Sequence, residues 1–192
     1  MNSVWSTSGQ TLTDHGQAWA NMVKNANSWA TSAGYQTWVS FSAGEDFEPG
    51  MSGPGHARTW LNGFIAAGTS YNVFDFAGNA GCPAQTGNNA CSNGWHTDDV
   101  WYMAWGSSDS NPLPEIYQQL NATVWYYIDV YATNHGNNTA MNFVGSTSEC
   151  AAVTPPCTQN TPDQAWSQLY DAVNPTPGDT NIQWSINFTW DT

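Results

Sequence analysis

The sequence predicts an α/β fold with a mostly parallel sheet, a TIM-barrel-like (βα) repeat that stops at about six strands. Three observations predict it. Short β-branched and aromatic runs alternate with segments of helical periodicity, polar and acidic residues follow those runs, and the turns between them are rich in Gly, Pro and Asn. Such alternation builds βαβ units, and in parallel α/β architectures sites assemble at the strand C-terminal ends. A closed (βα)8 barrel has eight strands and typically about 250 residues. A chain of 192 residues is therefore expected to hold a single α/β domain, 1–192, with an incomplete sheet, either open or the C-terminal part of a larger barrel.

Between residues 14 and 34, Trp19, Met22, Val23, Ala26, Trp29, Ala30 and Ala33 recur at three- and four-residue steps, with Thr13 or Asp14 as N-cap and Gly34 as the stop. That is the pattern of an amphipathic helix. Trp38, Val39 and Phe41 mark a strand over 37–43, which runs into the acidic loop 44–50. A second helix is expected over 55–67 and a second strand over 71–77. Residues 100–105 read as a third strand and the proline-bounded 114–120 as a short helix. The run TVWYYIDVY at 123–131 is the longest aromatic and β-branched stretch and predicts a buried strand. A strand over 141–145, a helix over 162–173 and a strand over 182–188 complete the chain.

Composition narrows the setting. Only Lys24 and Arg58 are basic against 15 acidic residues, a formal charge of −13, which repels phosphate backbones and anionic lipid alike. Nucleic acid and membrane are not expected partners, and no apolar run reaches the roughly 18 to 20 residues of a bilayer span. Residues 1–10 carry neither a basic start nor an apolar h-region, so secretion is argued from elsewhere. Charged residues make up 9% of the chain, a balance common in secreted proteins. Cys82 and Cys91 bracket one Pro/Gly/Asn-rich loop, and Cys150 and Cys157 another with two prolines. Two local disulfides, and with them an oxidising compartment, follow. The spacings lack the C-x2-C knuckle of a zinc site, so no metal is expected there. Sequons at Asn121, Asn137 and Asn187 would accept glycans.

The strongest chemical signal is Glu45, Asp46 and Glu48 after the first strand. In extended backbone, Asp46 and Glu48 point to one face, roughly 6.6 Å apart at a rise of about 3.3 Å per residue. Paired carboxyls suit glycosidic chemistry, in which one donates a proton while another stabilises an oxocarbenium-like transition state. Of the two, Glu48 is the candidate proton donor. Asp75 and Asp129 lie inside the apolar runs VFDFA and YIDVY, with Glu115 in PLPEIY as a further candidate acid. Buried structural acids, and for Glu115 a helix first turn, are the competing explanations. Trp101, Trp105 and Trp125 are candidates for a sugar-stacking platform, weighed against ordinary core packing, and His135 for a strand-end contact. His96, Asp98 and Asp99 carry the oxygen and nitrogen atoms of a cation site without an EF-hand pattern. Serine hydrolysis is disfavoured, because Gly50-Met51-Ser52-Gly53-Pro54 ends in Pro where G-x-S-x-G needs Gly. No P-loop and no G-x-G-x-x-G is present, so no cofactor is expected.

HGQAW at 15–19, GEDFEPG at 44–50, the two Cys loops, DDVWYMAWG at 98–106, PEIY at 114–117 and the closing Trp190-Asp191 together resemble an uncharacterised family of secreted bacterial proteins similar to glycoside-hydrolase-type TIM barrels. The resemblance spans nearly the whole chain. It implies further strands upstream of the segment matching His15, and it carries no established catalytic residues.

Two functions are expected from these readings. One is a secreted glycan-active or glycan-binding module acting on a polysaccharide or cell-wall glycan, a glycoside hydrolase using paired carboxylates. The alternative is a non-catalytic extracellular protein that self-assembles into a surface layer or filament as a homo-oligomer. The cysteine reading is directly testable: peptide mapping without reduction should recover Cys82–Cys91 and Cys150–Cys157 as two self-linked loops, and a cross-link between the loops refutes it.

Overall fold

The computed structural model describes residues 9–135, 139–150, 158–174, 182 and 185–187. Helices and parallel strands alternate: α1 (Gly9–Ser32), β1 (Ala43–Glu45), α2 (Pro54–Ala66), β2 (Val73–Asp75), α3 (Thr97–Trp101), β3 (Ser110–Pro112), α4 (Gln119–His135), β4 (Ser146–Ser148), α5 (Pro162–Val173) and β5 (Ser185–Asn187). A wider π-helical stretch, Tyr102–Gly106, continues α3.

The α/β class holds, but the described strands form neither a six-stranded sheet nor a TIM barrel. Five strands of three residues each fall into a three-stranded sheet, β1-β2-β3, and a two-stranded one, β4-β5. Ala43, Val73 and Ser110 share one register level, and Glu45, Asp75 and Pro112 another. Between the two sheets stands a single bridge, Glu115 to Thr147.

Proline explains the split. Past β3, the Leu113 and Glu115 amides donate to Asp75 and Ala77 on the β2 side. The alternate positions, which would donate toward β4, are Pro112 and Pro114, and proline has no N–H. Their carbonyls still accept from Val144 and Thr147, and Ile116 returns one bond to Thr147. A ladder that lacks two donors from one side shrinks to one bridge.

Two expected strands are helical. TVWYYIDVY belongs to α4, where Trp125, Ile128, Asp129 and Ala132 are buried at three- and four-residue steps, so helical packing overrides β propensity. Residues 100–105 belong to α3 and its π continuation. Residues 114–120 do not form the expected helix; they hold the Glu115 bridge, and α4 begins at Gln119. The strands expected over 37–43 and 141–145 begin later, at Ala43 and Ser146. Trp38 and Val39 instead donate to the Tyr35 carbonyl in a turn, with Trp38 85% exposed. The helices at 14–34, 55–67 and 162–173 are present, α1 starting earlier at Gly9. Gly34, at φ 78°, follows its end.

The core sits between the helices and the sheet. α1 buries Leu12, Gly16, Ala20, Val23, Asn27 and Ala30 against α2, which buries Ala57, Trp60, Leu61, Gly63 and Phe64. Trp60 is the centre: it stacks on Phe64, meets Phe47 edge-on at 5.3 Å, and donates its indole N–H to His15 Nδ1 at 2.7 Å. That bond holds His15 as the Nε2–H tautomer. HGQAW is therefore a packing motif.

The two helices touch through glycine. A Cβ on Gly16 would stand 2.1 Å from the Trp60 carbonyl oxygen, and one on Gly63 2.4 Å from that of Thr13. Gly→Ala inside a helix normally stabilises by about 0.5–1 kcal/mol. Here Gly16→Ala forces the helices apart and should cost at least about 2 kcal/mol, lowering Tm by about 4–8 °C. A raised Tm in thermal unfolding would refute the close crossing.

Candidate functional site

Five of the acidic residues named from the sequence, Glu45, Asp46, Glu48, Asp75 and Glu115, gather with Glu149 at the C-terminal ends of the strands. Glu45 ends β1 and Asp75 ends β2, as direct register partners. Asp46 and Glu48 follow β1, Glu115 follows β3, and Glu149 follows β4. Along 43–49 burial alternates, with Ala43, Glu45, Phe47 and Pro49 buried and Gly44, Asp46 and Glu48 half-buried. Asp46 and Glu48 thus share a more open side, as their spacing predicts, above Glu45 and Asp75.

Glycine shapes the centre. A Cβ on Gly78 would lie 2.4 Å from Glu48 Oε2 and 3.4 Å from Glu115 Oε2, so the two carboxyls converge on a residue that has no side chain. A Cβ on Gly50 would crowd Glu48 Oε1 at 2.7 Å. The Gly78 amide donates to Glu48. The Tyr117 hydroxyl is hydrogen-bonded with both Glu115 and Glu149. One hydroxyl proton serves one acceptor, so the second bond needs a proton on a carboxyl.

Burial governs the charge state. It raises Glu115 to about 8, against the opposing Tyr117 hydrogen bond and with help from Asp46, Glu48 and Glu149. It raises Glu45 to about 7 and Asp46 to about 7, where neighbouring Glu48, Glu45 and Glu149 add to it. Asp75 is pushed well above the usual carboxylate range. Glu48 rises by burial but is held back by the Gly78 amide. Tyr117 is also pushed up by burial and by its carboxyl neighbours, so it stays protonated. The arrangement mixes protonated and ionised carboxyls at neutral pH, the requirement for general acid–base work.

Neither cation reaches these acids. The Lys24 ammonium donates to the Ala67 carbonyl beyond α2, and Arg58 pairs with Asp99 at 2.9 Å while stacking over Tyr102 at 4.1 Å. Asp99 also accepts the His96 amide at the start of α3, so the His96, Asp98 and Asp99 group organises a helix end. Among the described residues, no set of three or more His, Cys, Asp or Glu is arranged to hold a metal ion.

The other candidates scatter. Asp75 Oδ1 accepts the Phe47 amide at 3.2 Å, tying the acidic loop to β2. Asp129 is on α4 and accepts the Met141 amide at 2.6 Å, which fits the structural role weighed against catalysis. Trp125 is fully buried and packs edge-on against Phe143; Trp101 packs on Tyr131. Both belong to the core. Trp105 lines a cavity of about 370 Å³ with Asn72, Ser107, Ser108, Ser110 and Asn111, at the opposite ends of the strands from the acids. His135 is exposed at the end of α4 and stacks on Tyr131. The Asn121 amide is engaged by Asn79 and Gln118, which makes that sequon a poor glycan acceptor. Cys82–Cys91 is a disulfide with S–S 2.05 Å. Cys150 is also disulfide-bonded, and Cys157, Asn137 and Asp191 lie outside the described residues.

Tyr117, Gly78 and Ser146 were not singled out by the sequence reading. Ser146 and Ser148 are fully buried, their hydroxyls without a partner in the described structure. The signal for Tyr117 lay in PEIY, two residues after a candidate acid.

Compared with known proteins, the chain matches no family model, no curated protein and no solved structure. The resemblance described above rests on its motifs alone.

The raised carboxyls predict an inverted pH dependence. Folding raises these groups from ordinary values of 4.5 or 3.8 to about 7 or 8, so between roughly pH 4 and 8 the folded chain binds more protons than the unfolded one. Stability is greatest below that window and falls as pH rises through it, by up to about 1.4 kcal/mol per pH unit for each carboxyl. Thermal unfolding should therefore give a Tm several degrees lower at pH 8.5 than at pH 5, and Asp75→Asn should flatten the slope. A Tm that rises over this range would contradict the protonated cluster.

Proposed function

We propose that the chain is a secreted glycoside hydrolase whose reacting pair is Glu48 and Glu115. The supporting observation is the convergence of these two carboxyls on Gly78, one raised to about 8 by burial and the other also raised by burial but held back by a backbone amide. Glycosidic cleavage needs that asymmetry: an acid that still holds its proton and a carboxylate that does not. The roles differ from the sequence expectation, since Glu115 is the better proton donor and Glu48 the better anion. Burial first, and then the charges of Glu48 and Glu149, favour the protonated form of Glu115.

A net charge of −13 opposes polyanionic glycans, so neutral polysaccharides and cell-wall glycans are the substrates of this reading. Secretion fits the Cys82–Cys91 disulfide, and no helix among the described residues is long and apolar enough to cross a membrane. The self-assembling alternative draws on one observation, the exposed group Trp29, Tyr35, Trp38 and Val39. Large regular particles in size-exclusion chromatography, without turnover of any glycan, would favour it.

The test is a screen of bacterial and plant polysaccharides for reducing ends, repeated with Glu115→Gln and Glu48→Gln. Each substitution should cost at least about 100-fold in rate with binding largely retained. Wild-type activity should fall as pH rises past about 8, and that alkaline limb should vanish in Glu115→Gln. Unchanged turnover in either variant would remove that residue from the pair.

A further inference from the structure

We propose that the cavity at the N-terminal ends of β2 and β3 binds a neutral sugar unit stacked on Trp105, at a site separate from the acids. The cavity holds about 370 Å³ and is lined by Asn72, Trp105, Ser107, Ser108, Ser110 and Asn111, a volume within the range of small-molecule sites. Asn72 precedes β2 and Ser110 opens β3, so one strand length separates the cavity from Asp75 and Glu115.

The lining selects the ligand by its chemistry. None of the six side chains is charged, and a formal charge of −13 on the chain opposes an anion. The adjoining carboxylate, Asp109, accepts from the Ser108 hydroxyl at 3.0 Å, and one carboxylate does not make a cation site. An apolar molecule would strip water from five amide or hydroxyl side chains and return no hydrogen bond. What fits is an uncharged molecule dense in donors and acceptors that also has a flat apolar face for an indole. A sugar ring has both.

The groups that would hold it are free. Ser107 donates to Ser110 Oγ at 2.7 Å, and the two residues are 9% and 4% exposed. Each hydroxyl has one proton and the bond uses one, so the second proton has no acceptor among the described residues. Buried hydroxyls are normally satisfied, and this one lines an open space. The side-chain amides of Asn72 and Asn111 and the Trp105 indole N–H also make no hydrogen bond among the described residues. The Trp105 ring meets no other aromatic ring there, whereas Trp60, Trp101 and Trp125 each pack on one. Trp105 belongs to the π-helical stretch Tyr102–Gly106, and single π turns recur at functional sites.

The experiment titrates the full chain with glucose, galactose, mannose, xylose and N-acetylglucosamine, and with cellobiose, lactose, xylobiose and diacetylchitobiose, read by saturation-transfer NMR. At least one should bind. Glucuronate, which adds a carboxylate to the shape of glucose, should bind more weakly than the neutral sugars. Trp105→Ala should weaken binding about tenfold. Asn72→Ala, at an exposed position where folding is not at risk, should weaken it about fivefold. Glu48→Gln and Glu115→Gln should leave it unchanged. Tighter binding of a disaccharide than of its monosaccharide assigns the end of a glycan chain as the ligand, and equal binding a free sugar. Binding of no probe, binding that survives both Trp105→Ala and Asn72→Ala, or glucuronate binding as well as the neutral sugars overturns this inference. Glycan turnover without binding at Trp105 leaves the glycosidase reading standing alone, and binding at Trp105 without turnover leaves this site standing alone.

Discussion

The scarcity of positive charge sets the terms for the rest of the structure. With two basic residues in the chain, one bonded beyond the end of α2 and the other joining α2 to α3, neither basic side chain pairs with the strand-end acids. A buried carboxylate without a counter-charge is too costly to keep. What remains is a proton, a backbone N–H or a hydroxyl. The structure uses all three: burial raises the proton affinity of Glu45, Asp46, Asp75 and Glu115, amides bond to Glu48 and Asp75, and the Tyr117 hydroxyl bonds to Glu115. The chemistry available at this end of the sheet follows from that division.

Prolines shape the same region from the backbone side. By removing two donors, Pro112 and Pro114 shorten the ladder between β3 and β4 to one bridge, and Glu115 forms it. A longer ladder would hold β3 and β4 in register over several residues. Here register is fixed at Glu115 itself, and the chain leaves the sheet directly afterwards with Tyr117 turned back toward Glu115 and Glu149. The backbone feature that breaks the sheet also fixes the acid in place.

This explains which parts were legible in the sequence. Helices α1, α2 and α5 carry clear 3.6-residue patterns, and Pro54, Pro162 and Gly34 mark ends that composition reveals. The acids after β1 were legible because three of them crowd one strand end. TVWYYIDVY misled because β-branched and aromatic residues were weighed by propensity, although Trp125, Ile128 and Ala132 fall on one helical face. Residues 100–105 misled for the same reason. Strand number was overestimated in consequence, and strand length too, since β1, β2 and β3 end after three residues at Glu45, Asp75 and Pro112. The convergence of Glu48 and Glu115 was not legible, because it depends on a glycine 30 residues from one and 37 from the other, brought to both only by the fold.

A fold with a free choice of residues would not bury this cluster. Each raised carboxyl opposes folding at neutral pH, and apolar side chains of similar size would pack at lower cost. The opposing stabilisation comes from the buried side of β1 and β2, where Ala43, Phe47 and Val73, in step with Glu45 and Asp75, join Trp60 and the α1–α2 crossing in one buried cluster. Glycine at 16 and 63 lets those helices approach, while glycine at 50 and 78 gives Glu48 its room. The two uses of glycine differ: one lets two helix backbones meet, and the other lets the Glu48 carboxyl lie directly against the chain at 50 and 78. Buried acids without a cation, next to a core tight enough to carry their cost, break local packing rules at one end of the sheet, and the proposed glycosidase reading gives that departure a use.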